Sequence, residues 1–212
     1  AAMMVHPADA DLIRMDCIAV QEMYVDYQGR AAHAAAAPQE GRNALDAAVL
    51  GYMNVAALRQ HILPTERIHG IFTKAGDKAN IVPKEAAMTW MVRSPTISSL
   101  QPLKERVLSC LESSAVATGC SCTTSWQHVT YADMVDNGPM VESYVANAAR
   151  LGRTVRDPRA IGHPVVGSTD MGNISYLVPS IHPMIQVAEA GVPIHTLDFA
   201  AWARSERGDL AV

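Results

Sequence analysis

The sequence predicts a mixed α/β chain in which a ferredoxin-like α+β sandwich is inserted into a second domain whose two pieces flank it. Three observations predict this. The apolar pattern across 17–130 reads strand, helix, strand, strand, helix, strand, the order of a split βαβ unit with helices on one face of an antiparallel sheet. Capping residues, Pro and Gly bound the helical stretches. The flanks, 1–16 and 131–212, are each too short to bury a core alone and together read as one interrupted domain.

The elements follow in order. Residues 1–16 are a short apolar start, Met3-Met4-Val5-His6-Pro7, and an acidic loop. Residues 17–27 alternate as a strand, with Met23, Val25 and Tyr27 on one face and Glu22 and Asp26 on the other. A loop rich in Gly, Ala and Pro spans 28–42. Residues 43–62 have helical spacing, with Asn43 as N-cap and Leu45, Ala48, Val49, Tyr52, Met53 and Ala56 on one face. A second strand is expected over 67–73, then a polar turn at 74–84 containing Gly76. The third strand, 86–93, places Met88, Trp90 and Val92 together. A helix over 98–118 starts from Ser98 or Ser99, has Pro102 in its first turn and stops at Gly119. Its apolar face is Leu100, Leu103, Val107, Leu111 and Ala115. A fourth strand occupies 120–129.

The last segment predicts a helix at 138–152 with Val141, Tyr144, Val145 and Ala148 on one face. A Gly-Ser-Thr-Asp-Met-Gly turn at 167–172 follows, then strand-like runs at 174–178 and 184–188, and a short helix near 198–205.

Composition narrows the class. Of 212 residues, 49% are hydrophobic and 18% charged, and the net charge is −4, which fits a globular chain and not a disordered one. That balance lacks the positive footprint of a nucleic-acid binder. No run of 18 apolar residues predicts a membrane helix, and no secretory signal is visible. The four cysteines, Cys17, Cys110, Cys120 and Cys122, contain no second close pair, so a zinc ribbon is not expected. They read as reduced, mostly buried thiols of a cytoplasmic protein.

Eight histidines are present: His6, His33, His61, His69, His128, His163, His182 and His195. None are paired at HxH or HxxxH spacing, so spacing by itself makes no metal site. His61 near a helix C-terminus is explained by the dipole. There is no GxGxxG or Walker loop, and Ser168 lacks the G-x-S-x-G elbow of a serine hydrolase.

Longer motifs carry a family resemblance. Tyr27-Gln28-Gly29-Arg30-Ala31-Ala32-His33-Ala34 with Pro38, Gly41 and Asn43-Ala44-Leu45-Asp46 resembles the start of the lid domain of M20 metallopeptidases and amidohydrolases. So does Asn80-Ile81-Val82-Pro83 followed by Arg93. The flanks agree: Val5-His6-Pro7, Gly167-Ser168-Thr169-Asp170-Met171-Gly172, Ile181-His182-Pro183 and Ile194-His195-Thr196. The resemblance runs over essentially the whole chain and is nearest to the M20 domain-containing protein 2 and aminobenzoyl-glutamate hydrolase branch.

The resemblance implies a partial zinc-peptidase-like α/β catalytic domain at 1–16 and 131–212, interrupted by a lid at 17–130 that dimerises through an edge strand and helix. It implies metal-dependent hydrolysis of an amide or peptide bond in a dipeptide-like or N-acyl amino acid substrate with a free carboxylate. Two ions would serve, zinc or else manganese or cobalt. His6 and His195 match metal-binding histidines. His33 matches the lid histidine that reaches the partner's active site to stabilise an oxyanion. Asn80 and Arg93 match substrate-holding positions, with Arg93 suited to a carboxylate. His69, His182 and the cysteines receive no role, and Asp170 is read equally as orienting a histidine or as an Asx cap.

One departure stands out. The early metal ligands and the general-base glutamate would lie before residue 1, and no Glu-Glu pair occurs in the sequence. The expectation is weak metal binding, little activity of this chain alone, and exposed apolar surface at 1–7 and 174–188. The alternative is a non-catalytic dimerisation or ligand-binding module derived from the lid.

Overall fold

The computed structural model describes residues 1–160 and 166–211. The chain separates into two compact units, Ala1–Ile18 with Ala132–Val212, and Ala19–Tyr131. The first unit begins with β1 (Ala2–Met3), β2 (His6–Ala8) and β3 (Asp16–Cys17). The second holds β4 (Ala19–Gln28), α1 (Ala44–Leu58), β5 (Arg67–Lys74), β6 (Glu85–Ser94), α2 (Ile97–Thr118) and β7 (Ser121–Trp126). The first resumes with α3 (Gly138–Arg150), β8 (Val166–Gly167), α4 (Met171–Ser175), β9 (Ser180–Ile181), β10 (Met184–Gln186), α5 (Leu197–Ala203) and α6 (Glu206–Asp209).

The second unit is the ferredoxin-like sandwich. Its antiparallel sheet has the order β5-β6-β4-β7, and α1 and α2 pack on each other and on β4 and β6. Period-2 alternation sends Met23, Val25 and Tyr27 of β4 and Met88, Trp90 and Val92 of β6 into the core. There they meet Leu100, Leu103, Val107, Leu111 and Ala115 of α2.

Three local expectations are corrected. The first strand starts at Ala19, because Asp16–Cys17 pairs instead with Val166–Gly167. Helix α2 is capped by Thr96 and not by Ser98 or Ser99. The Thr96 hydroxyl accepts from the Ser99 amide at 3.2 Å, and the Ser99 hydroxyl accepts from the Thr96 amide at 3.1 Å. With its first residue at Ile97, the helix carries Pro102 in its second turn, and Gly119, at φ 67°, ends it in the left-handed conformation.

The third correction concerns the buried face of α1. It is Ala44, Ala47, Ala48, Gly51, Val55 and Leu58. Of the predicted face only Ala48 is fully buried, while Val49 and Met53 are 45% and 58% exposed. The helix carries apolar residues around most of its circumference, so periodicity does not select a side. Close approach does. A Cβ on Gly51 would lie 2.6 Å from the Tyr27 hydroxyl, leaving room for small residues only.

The first unit is built on three parallel two-stranded ladders, β1–β9, β2–β10 and β3–β8. Ala8, Leu12, Met15, Cys17 and Met184 form one small core, and Val187, Ala188 and Phe199 another. The strand expected at 174–178 is instead the end of α4 and a loop, since ladder pairing begins only at Ser180. Leu177 is 79% exposed, and Met3 is exposed too. The expected exposed face is only partial, however, because Ile181, Met184, Val187 and Ala188 are buried. On α3 only Ala148 of the predicted face is buried.

All four cysteines are free; Cys17 is buried and the others are half-buried, so "mostly buried" holds for Cys17 alone. Burial, with Asp136 and Asp16 adding, pushes the Cys17 thiol up to about 12. Burial, with Glu112 and Asp26 adding, pushes Cys122 up to about 11. Among the described residues no helix is long and apolar enough to cross a membrane.

Candidate functional site

The loop after β4 zips against the segment before β6. The Gly29 amide donates to the Lys84 carbonyl at 2.7 Å, Val82 to Ala32 at 2.9 Å and Ala34 to Asn80 at 3.0 Å, and His33 bridges Ile81. These bonds bring His33 and Asn80 to one end of the sandwich, where both are exposed. A cavity of about 430 Å³ opens beside them, lined in part by Asn43, Asp77, Lys78 and Ile81.

The His33 ring is held by its own loop. Its Nδ1 accepts from the amides of Ala35 at 3.2 Å and Ala36 at 3.1 Å. An imidazole nitrogen that accepts from N–H carries the lone pair, so the ring proton sits on Nε2. That tautomer presents an outward donor, the group needed to bond a carbonyl oxygen as it gains charge.

Arg93 is elsewhere. It lies eight residues along β6 from Glu85, about 27 Å of strand at ~3.4 Å per residue, at the end away from Asn80. It stands opposite Val20 of β4 and Arg67 of β5, with one guanidinium nitrogen 3.9 Å from the Met91 sulfur. His69 pairs with Met91 on the same open face. One copy of the sandwich thus does not bring Arg93 together with His33 and Asn80.

The first unit gathers histidines that are far apart in sequence. His6, on β2, and His195, just before α5, have ring centres 6.1 Å apart. The Nδ1 of His6 donates to the Pro7 carbonyl at 2.8 Å, which leaves Nε2 as the ligand nitrogen. His195 is the one non-glycine residue at positive φ among the described residues, at 64°. That conformation costs a bulky residue about 1–2 kcal/mol, and such outliers cluster at functional sites.

A third ring, that of His182, lies 6.0 Å from His6. It is 1% exposed, and burial, then His6, pushes its pKa below the ordinary value, with Asp170 opposing. In the sequence it is marked only by the motif Ile181-His182-Pro183, to which no role attaches. Asp170 precedes α4 and makes no side-chain capping bond, against the Asx-cap expectation. His163 lies outside the described residues.

These residues suit a divalent transition-metal ion in donor type. Two imidazoles on a tetrahedral ion at about 2.0–2.1 Å have ring centres about 5.2 Å apart, so the His6–His195 pair, at 6.1 Å, stands wider than that geometry requires. Among the described residues, no group of three or more His, Cys, Asp or Glu side chains already converges as a cage.

Comparison with known proteins agrees with this organisation. The peptidase dimerisation domain of the M20 peptidases matches residues 20–118. The chain is 36% identical over 207 residues to the mouse (Mus musculus) Xaa-Arg dipeptidase, covering 98% of this chain and 48% of that protein. It is 34% identical over 203 residues to the human (Homo sapiens) Xaa-Arg dipeptidase, covering 96% and 46%. The chain spans about half the length of the curated relatives it matches. The fold matches the crystal structure of the aminobenzoyl-glutamate utilization protein from Klebsiella pneumoniae with a TM-score of 0.73 at 21% identity, over 99% of this chain and 53% of that one. The chain thus carries a peptidase dimerisation domain of the M20 type, flanked on both sides by segments that align with named dipeptidases.

Proposed function

We propose that this chain belongs to a metal-dependent hydrolase that cleaves the amide bond of a small dipeptide-like or N-acyl amino acid substrate with a free carboxylate. The observation that carries the reading is the meeting of His6 and His195, 189 residues apart in sequence, across β2 and the loop before α5. The likeness to Xaa-Arg dipeptidases supports a basic C-terminal residue in that substrate.

In this reading His6 and His195 are among the ligands of a two-ion centre of zinc, or else manganese or cobalt. A bound ion supplies Lewis-acid polarisation of the scissile carbonyl. The Nε2–H of His33 donates to the carbonyl oxygen as charge develops, and Asn80 assists in holding the substrate. Arg93 pairs with the substrate carboxylate. A dipeptide does not span about 27 Å of strand, so His33 and Asn80 act on a different substrate molecule from Arg93 of the same copy, as a lid shared between two copies allows. The sandwich is the lid, and it forms the homodimer. Exposed Val49, Leu50 and Met53 on α1, and Ile71 on the edge strand β5, are the apolar surface that supports this.

The test is elemental analysis of the chain after loading with zinc or manganese and dialysis, alongside sedimentation and a dipeptide hydrolysis panel. Bound metal that falls with His6→Ala and His195→Ala, in a dimer, is expected. A dimer that binds no metal and cleaves nothing favours the non-catalytic module. A monomer without metal or hydrolysis overturns both.

A further inference from the structure

Arg93 is one half of a pair of opposite charges that face the same way and do not join. Period-2 alternation sends Met23 and Val25 of β4, and Trp90 and Val92 of β6, into the core. Glu22 and Tyr24 therefore stand on the open face of the sheet with Met91 and Arg93. Register fixes their spacing. Val20 pairs with Arg93, Glu22 with Met91 and Tyr24 with Thr89. Glu22 is thus a diagonal neighbour of Arg93, and such positions lie about 7–8 Å apart.

The charge of this face changes sign across the strands. Arg67 of β5 stands opposite Arg93 of β6, and the carboxylate of Glu22 lies on β4. Arg67 turns its guanidinium to the carbonyls of Pro64 and Glu66. Glu22 is half-buried and forms no ion pair among the described residues. Tyr24 is 42% exposed, and the charge of Glu22 raises its phenol above the ordinary value, so the two side chains are neighbours. A carboxylate beside an exposed aromatic ring suits a cation. The carboxylate supplies charge-assisted hydrogen bonds and the ring face a cation–π contact.

The ligand that fits carries a carboxylate and a cation at matching separation. In arginine and lysine residues about six bonds divide the two, roughly 7 Å when extended. That equals the diagonal spacing of Arg93 and Glu22. Met91, directly opposite Glu22 and next but one to Arg93, offers an apolar floor to the methylene stem between the charges. A neutral side chain would leave Glu22 without a counter-charge, and an acidic one would be repelled.

We propose that Glu22, with the Tyr24 ring, reads the basic side chain of the substrate's C-terminal residue while Arg93 of the same copy holds that residue's carboxylate. The proposal rests on the reading of Arg93 above and assigns the specificity of that same site.

The experiment is calorimetric titration of the 212-residue chain with alanyl-arginine and alanyl-citrulline, using wild type, Glu22→Gln and Arg93→Gln. Citrulline replaces the guanidinium by a neutral urea of the same length. Wild type is expected to bind alanyl-arginine at least about tenfold more tightly than alanyl-citrulline. Glu22→Gln should lose that preference and still bind alanyl-citrulline, whereas Arg93→Gln should weaken both. A folded Glu22→Gln chain that keeps the preference, while Arg93→Gln weakens both ligands, overturns the role of Glu22 and leaves the reading of Arg93 standing. Equal affinity of wild type for the two ligands, again with both weakened in Arg93→Gln, does the same. Binding of neither ligand by wild type, or unchanged binding by Arg93→Gln, overturns both. Should Glu22→Gln fail to fold, carbon NMR of wild type decides. A Glu22 carboxyl signal moved by alanyl-arginine and not by alanyl-citrulline supports the proposal, and an unmoved signal overturns it.

Discussion

The amide of Ala36 donates to Nδ1 of His33 at 3.1 Å. With the Ala35 amide it settles which nitrogen of the ring keeps its proton, without help from any residue outside the loop. Nitrogen NMR of the chain at neutral pH is expected to show His33 as the Nε2–H tautomer. A signal pattern of the Nδ1–H form would contradict the geometry and remove the outward donor from the proposed chemistry.

Gly51 sits where helix propensity and packing oppose each other. Replacing a helical glycine by alanine ordinarily gains up to about 1 kcal/mol. Here the new Cβ would approach the Tyr27 hydroxyl to 2.6 Å and the Ser114 hydroxyl to 3.0 Å. Overpacking of this kind costs about 1–3 kcal/mol, so steric strain wins. Urea unfolding of Gly51→Ala should show a lower midpoint than wild type. A higher midpoint would mean that the helices separate freely.

Tyr27 makes alkaline stability measurable. Its hydroxyl donates to the Leu111 carbonyl at 3.0 Å, and burial pushes its pKa up to about 12 from 10. The folded state then holds a proton that the unfolded state has released. Stability from this group is complete below about pH 10 and is lost as pH rises toward 12. The difference in denaturant midpoint between wild type and Tyr27→Phe, followed from pH 9 to 12, should shrink across that window. A difference independent of pH would show that the phenol ionises as readily in the fold.

His195 separates strain from ligation. At φ 64° alanine keeps the steric penalty and glycine does not. His195→Gly should be more stable than His195→Ala by about 1 kcal/mol in thermal or chemical unfolding. Both should lose metal equally if the ring is the ligand. Metal retained by either variant would take His195 out of the site.

The ferredoxin-like sandwich was legible because its signals are local. Alternation in β4 and β6, the Asn43 cap and Gly119 at the end of α2 are each properties of a few neighbouring residues. The motifs around His33, Asn80 and His195 were equally legible, through resemblance. What local pattern left open was decided by packing. The buried face of α1 follows from how closely Tyr27 approaches Gly51, a distance no periodicity contains. The run at 174–178 is apolar enough for a strand, yet it finds no ladder partner until Ser180. His6, His182 and His195 share one place only because parallel pairing of β2 with β10 and the turn before α5 bring distant segments together. The sequence by itself determined the elements and the chemical types of the candidate residues, since those depend on short-range sterics and side-chain identity. Tertiary structure alone decided which of them meet, since that depends on strand register and close packing between segments remote in the chain.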